Sequence, residues 1–186
     1  VNGMADSNQG LGDLILGGML GWHQGNHHWI AALETVLGTG EYDTPSTTHP
    51  VEANLGKNYH TIRPILAYSY ANAAGLDLST KLSYSWNTRN NATDYKSGQY
   101  IAGDYSLGYR INPKLKVAVE GYAFKQTTDD KVNGSDIGFK GQAFAVGPGI
   151  QYADKNWSIE AKFLKETEVE YRPEGHTSWL KLIWAF

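Results

Sequence analysis

The chain has 186 residues, a formal charge of −3, 21 Gly, 12 Tyr, 6 Trp and no Cys. That length suits one domain, and the charge gives no electrostatic case for nucleic acid, nor does any basic run or aromatic platform motif supply one. Mean hydropathy is −0.44, and no apolar run approaches the roughly 20 residues a membrane helix needs, which excludes a helical membrane protein.

From Val1 the chain shows no secretory signal and reads as a mature form or an internal fragment. Amphipathic segments then follow one another without a linker, and strands are expected at roughly 12–23, 29–38, 60–70, 76–88, 98–110, 115–126, 139–152, 157–167 and 176–186. Their length is near the 9 to 11 residues that carry a tilted strand across a bilayer. Connections alternate in length. Short ones fall at about 24–28, 71–75, 111–114 and 153–156, and longer polar ones at about 39–59, 89–97, 127–138 and 168–175. Short turns on one side and long loops on the other are the asymmetry of an outer-membrane barrel. The fold class expected is therefore all-β, an antiparallel up-and-down transmembrane β-barrel in one domain over 1–186.

Side-chain alternation tests this. With Glu34 inward, Trp29, Ala31, Leu33 and Leu37 point outward; with Lys81 inward, Leu76, Leu78, Leu82, Tyr84 and Trp86 do. Asp104 and Arg110 oppose Ile101, Tyr105, Leu107 and Tyr109, while Lys116 and Glu120 oppose Leu115, Val117 and Val119. Glu160 and Lys162 oppose Trp157, Ile159, Ala161 and Phe163. A soluble sandwich would alternate in the same way, so alternation by itself does not choose. Aromatic placement does. Trp22, Trp29, Tyr70, Tyr109, Tyr152, Trp157, Trp184 and Phe186 all fall on the outward face at the short-turn ends of strands, as an interfacial girdle requires. The last strand, with Leu180, Leu182, Trp184 and Phe186 on one face and Trp179, Lys181, Ile183 and Ala185 on the other, ends as outer-membrane barrels end. It is the element expected to engage the barrel-assembly machinery, with outer-membrane lipid or detergent as the surrounding partner.

Short motifs add a resemblance. GLGDL at Gly10 to Leu14, TGEYD at Thr39 to Asp43, NLGKNY at Asn54 to Tyr59, ATDYKSG at Ala92 to Gly98 and the aromatic terminus resemble the bacterial outer-membrane family of the meta-pathway of phenol degradation, whose members are sometimes called transporters. The resemblance implies an outer-membrane barrel with a transport role, and family members carry extra strands ahead of GLGDL. Nine strands ending in the periplasm would leave Val1 outside the cell, whereas single-chain barrels have even strand numbers. The expectation is a C-terminal portion of a barrel of about 12 strands, a truncated form closing with fewer, or a count off by one.

No catalytic constellation is found: HExxH, GxSxG and phosphate-binding loops are absent, and neither a cofactor nor a metal centre is expected. His27 and His28, read as lying in a short turn, are expected to be solvated rather than to bind metal. Asp129 and Asp130, like Glu41 and Asp43, are expected to solvate loops rather than bind calcium. What remains is a lumen lining. Glu34, Lys81, Asp104, Glu120, Lys162 and Lys181 form an inner belt of three acids and three bases, extended by Arg63, Asp77, Arg110, Lys116 and Glu160. The belt is either a salt-bridged plug or a polar constriction for solutes. Three functions stay open: a channel or transporter for small, aromatic or hydrophobic solutes, a structural or loop-mediated barrel without transport, and a soluble ligand-binding barrel.

Overall fold

A computed structural model describes residues 9–44 and 54–185. Nine long strands form one sheet in strict chain order: β1 (Leu14–Gln24), β2 (His27–Leu37), β3 (Thr61–Ala71), β4 (Leu76–Asn87), β6 (Tyr100–Asn112), β7 (Leu115–Gln126), β10 (Gln142–Asp154), β11 (Trp157–Glu170) and β12 (His176–Trp184). Every neighbouring pair is antiparallel. The all-β, antiparallel up-and-down order read from the pattern is thus the one observed. The sheet is open, since β1 and β12 each pair on one side only among the described residues. Three two-residue strands were not foreseen: β5 (Tyr95–Lys96), β8 (Lys131–Val132) and β9 (Ser135–Asp136), which make a separate small sheet from two of the long loops.

The short turns show why the register is firm. Gly25, at φ +57°, occupies the first place of the two-residue β1–β2 turn, where a positive φ matches the twist of the flanking strands. In the next turn Asn72 accepts the Leu76 amide on its side chain at 3.0 Å, and Gly75 takes φ +102°. Asn112 accepts the amides of Lys114 and Leu115 at 2.9 and 3.0 Å. The β1–β2 turn holds only Gly25 and Asn26, so His27 and His28 are strand residues and not the turn residues that the sequence suggests.

Polarity runs opposite to that of a water-soluble protein. Among the described residues the buried apolar ones are Ala143, Ala145 and Leu164, whereas Thr61, Asp77, Ser83, Ser85, Asn87, Asn90 and Glu120 are buried polar groups. By register, all of these strand residues share one face with Glu34 and Arg63. That face is concave, because a single cavity of about 610 Å³ is lined by Ala67 on β3, Asp104 on β6, Glu160 on β11 and Trp179 on β12. The convex face carries Leu66, Leu82, Leu107, Val119, Ile150 and Leu180, all exposed. Leu78, Leu107 and Val119 stand directly opposite one another on successive strands. A continuous apolar surface of this kind is unstable in water and stable in lipid.

Leu107→Arg or Val119→Arg is expected to cost about 2 to 4 kcal/mol of folding stability in lipid vesicles. Ser106→Arg, one residue along on the concave face, should cost far less in the same urea titration.

Candidate functional site

The candidate site is the concave face, where the inner belt is organised by lateral pairing. Arg63 on β3 is its most connected member: its Nε donates to Ser85 Oγ at 3.0 Å, Nη1 meets Glu34 at 3.4 Å and Nη2 donates to Tyr100 Oη at 3.1 Å. One guanidinium thus ties β2, β3, β4 and β6, using its fixed fork of donors. Asp77 on β4 receives Arg110 at 2.7 Å and Lys116 at 3.5 Å. Lys81 reaches Asp104 on the neighbouring strand at 2.6 Å. Lys162 on β11 reaches across β10 to Glu120 on β7 at 3.4 Å.

That last pair depends on a glycine. Gly149 sits between the two on β10, and a Cβ there would lie 2.8 Å from Glu120 Oε1. The missing side chain leaves the space in which the Glu120 side chain lies over β10 to meet the lysine. Glu160 and Lys181 face each other in register. A plug would pair opposite charges across the lumen; these pairs form along the wall, between strands one or two apart. Inner polar groups absent from the lining expected from sequence are Ser83, Ser85, Tyr100 and Tyr122, the last donating to Glu166. Strand parity alone would have found them, but uncharged residues do not advertise a face.

The residues of the aromatic row occupy the convex face at the short-turn ends. Trp22 and Trp29 stand opposite in register with ring centroids 6.2 Å apart, and Tyr152 lies 5.5 Å from Trp157, which faces Trp184 on β12. Tyr70 stands opposite Leu78, and Tyr109 opposite Leu76. Phe186 lies outside the described residues.

At the long-loop end the sequence motifs interlock. Asp13 of GLGDL accepts the Gly40 amide of TGEYD and the Lys57 amide of NLGKNY, each at 3.1 Å. The Asn54 side chain accepts the Asp43 amide at 2.6 Å and donates to its carbonyl at 2.9 Å. Gly40 and Gly56 touch back to back, and a Cβ on Gly40 would lie 2.7 Å from the Gly56 Cα. Asn90 bonds Asn58 at 2.9 Å and carries the clasp to the next loop.

Further round the rim, Asp130 does more than solvate a loop. It accepts the Gly98 amide of ATDYKSG and the Gln126 side chain, each at 2.7 Å, and also the Tyr95 hydroxyl. Burial, reinforced by the Asp130 carboxylate, pushes the Tyr95 phenol well above its ordinary value and keeps it a donor. These motifs therefore hold loops together, and the lining charges lie elsewhere.

The family described as "Putative MetA-pathway of phenol degradation" matches residues 1–182. The chain belongs to that family. Among solved structures, this member is similar to an outer membrane channel from Pseudomonas putida F1, with a TM-score of 0.72 at 14% identity. The match covers 92% of the chain and 64% of that channel, so the chain spans under two thirds of its length. Comparison with curated proteins found no match. The family member and the channel share a fold, that of the antiparallel sheet described above.

Two outcomes follow from these contacts. Glu120 keeps only 10% of its side-chain surface exposed, against 58% for Asp104. Lys162→Met should therefore cost ~3 kcal/mol by stranding a nearly buried carboxylate, while Lys81→Met should cost less than about 1 kcal/mol, both read by urea unfolding in detergent. Asp130→Ala should speed proteolytic nicking within 127–138 and leave heat-modifiable gel mobility of the folded sheet unchanged.

Proposed function

We propose that the chain forms the wall of an outer-membrane channel that passes small solutes along its concave face. The observation that carries this reading is the inversion of polarity, with ionised pairs and hydroxyls gathered around the 610 Å³ cavity and an apolar surface turned outward. Family membership and the fold of the Pseudomonas putida channel support it. The lining is not polar throughout. Ile15 and Met19 on β1 and Trp179 and Ile183 on β12 are exposed on the same face as Glu34 and Lys181. Apolar strips beside charged pairs suit small aromatic or hydrophobic solutes bearing a polar group, which slide on one and are oriented by the other. The aromatic row would then anchor the barrel at the periplasmic interface.

A second reading, a barrel held shut with its loops doing the work, draws on the density of lateral pairs. The two separate in planar bilayers, where a channel conducts and a plugged barrel does not.

Charge reversal provides the finer test. Lys162 holds Glu120 and is unsuitable, so the reversals belong at the exposed Lys81 and Lys181. Lys81→Glu with Lys181→Glu should shift the reversal potential under a salt gradient toward cation selectivity, through the local field. A folded, conducting variant with an unmoved reversal potential would remove these lysines from the solute path.

A further inference from the structure

Strand register rearranges the histidines in a way that adjacency in sequence conceals. His27 and His28 are neighbours on β2 and so lie on opposite faces. His27 turns to the convex face, where its ring stacks on Trp29 at 5.7 Å and its Nδ1 bonds Tyr68 Oη at 2.8 Å. His28 turns to the concave face. There it stands directly opposite His23 of β1, with ring centroids 5.8 Å apart and ring planes 34° apart.

We propose that His23 and His28 form a two-imidazole site for a divalent transition-metal ion at the short-turn mouth of the concave face. Directly opposed residues on antiparallel strands hold their Cβ atoms about 4.5 to 5.5 Å apart, a spacing from which two ring nitrogens converge on one ion about 2.0 to 2.1 Å from each. Register is firm here because the β1–β2 turn has only two residues and its Gly25 meets the required positive φ. Both histidines are exposed, so ligation displaces water and breaks no packing. Beyond His28 in register comes Ser69, whose hydroxyl bonds Ser79 at 3.0 Å, so the next shell is neutral and adds no competing cation.

An all-imidazole donor pair selects Cu²⁺, Ni²⁺ and Zn²⁺ over Ca²⁺ and Mg²⁺, which want oxygen. Water completes the coordination, which makes the ion exchangeable. Among the described residues the other histidines are engaged elsewhere: His60 accepts the Gly38 amide at 3.1 Å, and the ring of His176 lies against Phe163. The site stands whether or not solute moves through the lumen.

The test uses the full, tag-free chain folded in detergent and titrated with Cu²⁺ or Zn²⁺ alone. One ion per chain is expected, with affinity weakened about tenfold or more by His23→Gln and by His28→Gln, and changed by less than about twofold by His27→Gln. Unaltered binding in either of the first two, or an equal loss in the third, overturns the site. Electron paramagnetic resonance of the Cu²⁺-loaded wild-type chain decides the matter even if a variant fails to fold. Coupling to two imidazole nitrogens supports the pair, and coupling to one, or none, overturns it.

Discussion

Everything in this molecule follows from the antiparallel hydrogen-bond ladder having to satisfy the backbone in surroundings without water. An unmet amide in hydrocarbon costs several kcal/mol, so the backbone must be satisfied between strands before any side chain matters. Among the described residues the seven inner strands of the large sheet meet that demand on both sides. Once the ladder is set, alternation leaves only two directions for a side chain. Lipid claims the outward one, so leucine and valine lie open on the surface while aspartate and glutamate are tucked inside. The inner charges in turn need partners close by, and strands about 4.8 Å apart supply them laterally. Arg63, Asp77 and Glu120 are held this way, each by groups from other strands.

Much of this was legible from residue order. Glu34 beside Leu33, Lys81 beside Leu82, Asp104 beside Tyr105 and Glu120 beside Val119 each declare a face without any knowledge of a partner. The long strands were visible for that reason. The pairing of those charges was not. Which lysine meets which carboxylate depends on register, and on Gly149 leaving room for the Glu120 side chain, a fact about space that a glycine in a string of letters does not convey.

The loop end shows the opposite balance. GLGDL, TGEYD and NLGKNY are conspicuous as motifs, yet their role was hidden, because Asp13 acts on amides 27 and 44 residues away. Side chain to backbone bonds of that span have no periodicity to betray them. Likewise Tyr95 and Asp130 come from different loops and meet only once the small sheet of β5, β8 and β9 forms. The histidines show how one misplaced boundary propagates: with the β1–β2 turn read three residues too long, His27 and His28 looked like companions, whereas the true turn makes His23 the partner of His28.

The strict succession of strands also bears on how such a wall is assembled. Each of the eight strand pairings joins elements adjacent in the chain order of the large sheet, and four of them are closed by the short turns. Zipping can then proceed hairpin by hairpin, with a small entropy loss at each step. Uniting the free edges of β1 and β12, directly or through further strands, is the single non-local event. Its cost grows with the logarithm of the chain between them, and it is the step at which an assembly catalyst that holds one edge open would have the greatest effect on rate.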